Sequence, residues 1–70
     1  MEEQDFRLMG NSDGFVSLEK VCRVSGLTHS EGLRAVFRTK SNLFSGRWVT
    51  PDNAVNIYNY AQGYLDRVEK

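Results

Sequence analysis

The sequence predicts a single small α+β domain, in which a β-hairpin, two helices, a second β-hairpin and a third helix follow one another. Three observations support this order. Apolar residues alternate near the N-terminus, two segments with helical spacing follow helix-capping residues, and a glycine turn between short apolar runs precedes a third capping signal. A chain of 70 residues buries only about 60% of the surface that its unfolded form exposes. We therefore expect one domain over residues 1–70, with residues 1–4 disordered.

Composition excludes several classes of protein. One cysteine and one histidine are too few for an internal disulfide or a Cys/His zinc site. The apolar runs are far shorter than the ~20 residues of a membrane helix, and the acidic N-terminus lacks the pattern of a secretory signal. We expect an intracellular protein, cytoplasmic if bacterial or phage and nuclear if eukaryotic. No phosphate loop, carboxylate pair or nucleophile–base set is found, so neither an enzyme nor a cofactor is expected.

Charge is distributed unevenly although the net charge is zero. Residues 20–51 contain six basic residues and one acid, a sum of +5, and the remaining residues sum to −5. Such a division can give one surface of a neutral molecule a positive potential. With so few charges, a chance distribution is the alternative.

The N-terminal segment is predicted to form the first β-hairpin. Phe6 and Leu8 alternate with Arg7, as in a strand with one buried face. The turn-forming sequence GNSDG, residues 10–14, then leads into a second short strand, FVS.

Capping signals delimit the first two helices. Ser17 is suited to cap a helix over residues 18–25, which ends at Gly26. Thr28 and Glu31 form a T-x-x-E capping box, so the second helix is predicted to begin at the next residue, His29. The two helices have the outline of a helix-turn-helix, although two packed helices without any DNA partner would show the same spacing.

The second helix is predicted to have an apolar and a basic face. Its buried stripe is predicted to contain Leu33, Val36 and Phe37. Arg34 and Arg38, four residues apart, are predicted to share the exposed face.

The C-terminal half is predicted to contain a tight hairpin and a long helix. The apolar runs LF and WV surround Ser45 and Gly46, with Arg47 near the tip of the hairpin. Thr50 and Pro51 are suited to start the third helix. Its predicted apolar face contains Ala54, Ile57, Tyr58, Ala61, Tyr64 or Leu65, and Val68. A helix-turn-helix followed by a hairpin is a winged arrangement.

Two blocks of the sequence resemble the KilA-N and APSES domains of viral and fungal proteins. DGFVSLEKVC, residues 13–22, is similar to the family's opening D-G-Y-I-N-A-T-K-L-C, and GRWVTPDNAVNIYNYA, residues 46–61, is similar to its G-x-W-V-x-P followed by an Ala-rich aromatic helix. The identical positions are Asp13, Gly14, Lys20, Cys22, Gly46, Trp48, Val49, Pro51 and Ala54. The resemblance implies a winged helix-turn-helix domain of a small transcriptional regulator, which binds double-stranded DNA through its second helix and its wing.

Seven residues are therefore predicted to contact double-stranded DNA, in a sequence-related or non-specific manner. They are Arg34, Arg38, Lys40, Arg47, Ser30, Thr39 and Ser45. Guanidinium and ammonium groups bind phosphates or guanine edges. Trp48 and Cys22 are instead assigned to the core and His29 to the surface, and Tyr60 is the one tyrosine expected to be an exposed contact.

A protein-interaction module on the same scaffold is the second hypothesis. It would bind a partner segment or a second copy of the chain and have little affinity for DNA. Zero net charge favours it, as do four aromatic residues in the C-terminal half: Phe44, Trp48, Tyr60 and Tyr64.

Overall fold

The computed structural model describes the backbone of residues 1–68 and the side chains of residues 1–67. Its elements are α1 (Glu3–Met9), β1 (Val16–Ser17), α2 (Leu18–Ser25), α3 (His29–Arg38), β2 (Trp48–Val49) and α4 (Pro51–Val68). β1 and β2 form a two-stranded antiparallel sheet in which Val16 pairs with Val49. The prediction of a small α+β domain is confirmed. Helices account for most of it.

The predicted N-terminal hairpin is wrong, because its first strand is the helix α1. The Glu2 amide donates to the Asp5 carboxylate at 2.9 Å, and Arg7 forms an i,i+4 ion pair with Glu3 at 2.8 Å; both interactions favour a helix. α1 thus begins within the segment that was expected to be disordered. Phe6 is 0% exposed and packs edge-on against Tyr58 of α4, with 6.1 Å between ring centroids.

The GNSDG segment does form a turn, which joins α1 to β1 instead of joining two strands. The side-chain oxygen of Asn11 accepts hydrogen bonds from the amides of Asp13 and Phe15, at 3.0 and 2.9 Å. Gly14 has a φ of +88°, a left-handed conformation that few other residues adopt. The turn and the short strand after it were therefore predicted correctly, and only the element before the turn was not.

The limits of α2 and the start of α3 agree with the sequence prediction. Gly26 ends α2 in the left-handed conformation, with a φ of +75°. The capping box of α3 is complete, because the Thr28 amide donates to Glu31 Oε1 at 2.9 Å and the Glu31 amide donates to Thr28 Oγ1 at 3.2 Å. A three-residue turn therefore joins two well-delimited helices that pack against each other.

The predicted buried stripe of α3 is wrong for two of its three residues. Val36 is buried, but Leu33 is 41% exposed and Phe37 is 80% exposed. The small residues Gly32 and Ala35 are buried instead, and a Cβ on Gly32 would overlap the Sγ of the buried Cys22 in α2. The close approach of the helices at the small residues turns the two large apolar side chains toward solvent.

The predicted second hairpin is a tight turn that is closed by a single bridge, between Phe44 and Trp48. Ser45 and Gly46 have φ values of +52° and +71°, and the Arg47 amide donates to the Phe44 carbonyl at 3.0 Å. Positive φ at both central residues is typical of a type I′ turn. We call residues 44–48 the hairpin turn. Beyond it, β2 pairs with β1.

The helix α4 packs against α1, α2 and α3 and forms the centre of the domain. Its start was predicted correctly: Pro51 is the first helical residue, and Thr50 Oγ1 accepts from the Asn53 amide at 3.4 Å. Three residues of the predicted apolar face are fully buried: Ala54, Ile57 and Ala61. Tyr58 is half-buried, and the side chain of Val68 lies outside the described residues. None of the helices in the described part is long and apolar enough to cross a membrane.

Candidate nucleic-acid interface

The exposed face of α3 is basic and apolar. Ser30, Arg34 and Arg38 are exposed on it, together with Leu33 and Phe37. The capping box at the start of the helix and its buried small residues fix which side of the helix is turned outward. The predicted exposure of the two arginines is therefore confirmed, and the two apolar side chains beside them are an addition that the sequence prediction had assigned to the core.

The acid of α3, Glu31, is engaged in local hydrogen bonds. The backbone amide of Thr28, and next its hydroxyl and that of Tyr64, lower the pKa of the Glu31 carboxyl. Hydrogen bonding to Glu31 in turn raises the pKa of the Tyr64 phenol. Hydrogen bonds thus hold the Glu31 carboxylate at the N-terminal end of α3, one turn before Arg34.

An open cleft of about 440 Å³ lies between α3 and α4. Two residues of α3 and three of α4 line it: Arg34, Arg38, Tyr60, Tyr64 and Arg67. The two tyrosine rings stack on each other, with 6.1 Å between centroids and 14° between planes. We call this site the α3–α4 cleft. It brings together two predicted residues and adds Arg67, which sequence reasoning missed.

The arginines of the α3–α4 cleft form no ion pair with a described carboxylate, although the charge of Arg34 adds the smallest contribution to the lowered pKa of the nearby Glu31 carboxyl. Within residues 1–67, the ion pairs are Arg7 with Glu3 and Arg23 with Glu19, both far from this cleft in the sequence. Arg67 donates through Nε to the Gly63 carbonyl at 3.3 Å, which leaves its terminal nitrogens for other partners. Three guanidinium groups therefore line one open site.

Two further predicted residues lie at the C-terminal end of α3. The Thr39 hydroxyl donates to the Ala35 carbonyl at 2.8 Å and shares a 2.6 Å hydrogen bond with the Ser41 hydroxyl. The hydroxyl proton of Thr39 therefore takes part in hydrogen bonds within the protein. Lys40 is exposed and left-handed, with a φ of +55°. Of the two, Lys40 has the side chain that is free to meet an anion.

The hairpin turn presents Arg47 away from the α3–α4 cleft. The guanidinium lies 5.0 Å from the centroid of the Trp48 ring, a cation–π contact that limits its freedom. Arg47 lines a second cleft with Lys20 and Arg23 of α2, and neither cleft shares a residue with the other. Ser45 is exposed at the turn. Three of the seven predicted residues thus line two separate clefts, of which the second also contains Glu19, and Trp48 is half-buried instead of fully in the core.

Tyr64 and Arg67, which were not predicted as contacts, could have been found together with Tyr60 from the spacing within α4. Tyr60, Tyr64 and Arg67 follow one another at intervals of four and three, which places them on one side of a helix. Tyr64 was predicted as part of the apolar face, and Arg67 lies in the last turn of α4, where a basic residue is favoured by the helix dipole alone. The arrangement of α4 against α3, which only the structure supplies, relates them to Arg34.

A metal centre is not formed by the described residues, among which no three His, Cys, Asp or Glu side chains cluster. No family model, curated protein or solved structure matches the chain. The resemblance to KilA-N and APSES domains therefore stays a prediction. The geometry of the two clefts is therefore the observation from which a function can be proposed.

Proposed function

We propose that the protein binds double-stranded DNA through α3 and the hairpin turn, as a small regulator of transcription with a winged helix-turn-helix arrangement. The observation that carries this proposal is the exposed face of α3. There, Ser30, Arg34 and Arg38 face solvent, and the acid of the helix is held in its capping box. An α-helix fits the major groove of B-DNA, where arginine forks bind guanine edges or the flanking phosphates.

The apolar residues of α3 suit the same partner. Leu33 and Phe37 each directly precede one of the arginines in sequence and are 41% and 80% exposed. In the major groove, the methyl group of thymine offers an apolar contact to such side chains. This combination supports some sequence preference in addition to binding through phosphates.

The hairpin turn supplies a second contact. Arg47 is oriented by its position over the Trp48 ring, and Lys20 lines the same cleft. An arginine at the tip of a wing can bind phosphates or enter a narrow minor groove. With about four to six phosphate contacts in all, the slope of log K against log salt is about −4 to −5. One copy alone binds weakly at physiological salt.

Fluorescence anisotropy with a labelled random-sequence duplex at low salt tests this proposal. We expect the wild-type protein to bind and Arg38→Glu to weaken binding strongly, with loss of binding in the Arg34→Glu/Arg38→Glu double variant. Arg7→Glu is the matched control, because it changes the net charge equally on α1, and we expect little effect. Absence of wild-type binding at tens of micromolar protein, or equal effects of Arg38→Glu and Arg7→Glu, would refute the proposal.

A protein-interaction module is the second candidate, favoured by the exposure of Phe37. A phenylalanine that is 80% exposed beside a 41% exposed leucine, one turn away, is an apolar patch of the kind that mediates association. A second copy of the chain or a partner helix could cover it. Light scattering after size exclusion tests self-association: a dimer that Phe37→Ser converts to a monomer supports this candidate, and a monomer at all concentrations counts against self-association.

A further inference from the structure

The α3–α4 cleft joins α4 to the basic face of α3. Arg34 and Arg38 belong both to this face and to the cleft, whereas Arg67 and Tyr60 reach the cleft from α4. α4 is neither of the two helices predicted to form the helix-turn-helix, and it is not part of the hairpin turn. Its contribution to binding is therefore not contained in the proposed function.

The chemistry of the cleft favours a phosphate. Like charges at close range repel, so three guanidinium groups in one site are stabilised by an anion that lies among them. The planar fork of arginine matches the oxygens of a phosphate in a bidentate manner. Tyr60 adds a neutral hydroxyl donor to the lining, while the hydroxyl of Tyr64 is engaged with Glu31.

The shape of the cleft favours a phosphate that belongs to a larger molecule. Sites for small ligands usually enclose most of the ligand surface, but this cleft is open to solvent and is continuous with the exposed face of α3. When a helix lies in the major groove, the sugar–phosphate strands pass along both of its sides. A helix packed beside it, as α4 is beside α3, is then well situated to meet one of these strands.

We propose that the α3–α4 cleft clamps a backbone phosphate of the bound DNA, with Arg67 and Tyr60 as contacts from α4. This inference rests on the proposed function, since it adds α4 as a third DNA-contacting element. Arg67 supplies charge and Tyr60 supplies a neutral hydrogen bond. The two contacts therefore affect the salt dependence of binding differently.

Duplex binding measured over a series of salt concentrations tests the clamp. We expect Arg67→Gln to weaken binding to the same extent on two unrelated duplex sequences and to reduce the slope of log K against log salt by about 0.9, one phosphate contact. Arg67→Lys keeps the charge and should keep the slope. Tyr60→Phe keeps the ring, and should weaken binding several-fold without a change in slope.

A control variant and two possible results distinguish failure of the clamp from failure of the proposed function. Arg7→Gln, on α1, should leave slope and affinity unchanged. Wild-type binding that Arg34→Glu/Arg38→Glu abolishes but Arg67→Gln leaves unaltered would overturn the clamp and leave the proposed function standing. Absence of wild-type binding would overturn both. Far-UV circular dichroism of each variant verifies the fold; Arg67 is exposed, and Tyr60→Phe keeps the ring that packs against the core.

Discussion

At the scale of single residues, the contact between Gly32 and Cys22 determines how α3 presents its functional face. Gly32 is buried against the Cys22 side chain, so no larger residue fits without a shift of one helix. Burial, and next the charge of Glu31, raise the pKa of the Cys22 thiol above its ordinary value of 9.0. The cysteine is thus a packing residue, as the sequence predicted, and it specifies which residue of α3 must be small.

We expect Gly32→Ala to lower the free energy of unfolding by about 1–3 kcal/mol, as overpacking of a tight core does. The added Cβ would overlap the Cys22 Sγ, whereas the Cys22 Cβ lies 3.8 Å from it, an ordinary contact. Cys22→Ala should therefore relieve most of the cost of Gly32→Ala. Urea denaturation of the two single variants and the double variant measures this coupling. Additive effects would contradict the overlap.

At the scale of secondary-structure elements, α3 ends in a strained conformation at a predicted DNA-binding residue. The Ser41 amide donates to the Val36 carbonyl at 3.0 Å and the Lys40 amide donates to the Phe37 carbonyl at 3.2 Å. This pair of bonds is the Schellman motif, which usually has glycine where Lys40 stands, because φ there is +55°. Lys40 therefore occupies a strained position, of the kind that is often found at functional sites.

We expect Lys40→Gly to be more stable than Lys40→Ala by about 1 kcal/mol, since glycine removes the left-handed strain and alanine does not. Both variants lose the lysine side chain, so the comparison isolates the backbone. In a domain of this size, the difference corresponds to about 4–8 °C in Tm. Thermal unfolding followed by circular dichroism measures it. Equal Tm values would show that the end of α3 adopts another conformation.

The correctly predicted helix boundaries are mostly marked by local signals, although the Ser17 side chain forms no capping hydrogen bond at the start of α2. The capping box at Thr28, the glycine at position 26 and the Thr50–Pro51 start act within one helical turn, so the sequence contains all the information they need. The first element failed because five residues with alternating polarity satisfy a strand and a short helix equally well. Burial of Phe6 against α4 decides between them.

Only the part of the candidate site that lies on α3 was predictable from the sequence. The exposure of Arg34 and Arg38 follows from their spacing on α3. The outward position of Phe37 follows instead from the burial of a glycine and an alanine of α3, which carry no apolar signal in the sequence. The participation of Arg67 depends on how α4 packs against α3, a long-range relation.

At the scale of the whole molecule, α4 separates the charges of this neutral chain. Its N-terminal end faces an acidic region in which Glu2, Glu3 and Asp52 line one surface depression, and its C-terminal half lines the arginine-rich cleft. Acidic and basic side chains are thus separated in space along α4, and Arg67 adds positive charge from outside the basic stretch of residues 20–51. Positive potential on one side of a neutral protein is sufficient to orient it toward a phosphate backbone.

The same helix explains why α1 belongs to the domain. Phe6 is 0% exposed, packs on Tyr58 and belongs to the core cluster, whereas Leu8, two residues further, is 80% exposed. A strand would place both side chains on one face, whereas the helix buries only Phe6. The loss of stability on substitution of each residue therefore distinguishes the helix from the predicted hairpin. α1 therefore contributes to stability through one large side chain.

We expect Phe6→Ala to lower the free energy of unfolding by about 3–5 kcal/mol, the usual cost of truncating a buried aromatic residue. At roughly 0.05–0.15 kcal/mol per residue, that is a large part of the stability of a small domain. Leu8→Ala, the matched control, should change it by less than about 0.5 kcal/mol. Urea denaturation of both variants measures the difference. Similar losses for the two would support the hairpin. If Phe6→Ala is unfolded under the conditions of a binding assay, its loss of DNA binding follows from unfolding. Such a loss would not indicate a contact between α1 and DNA.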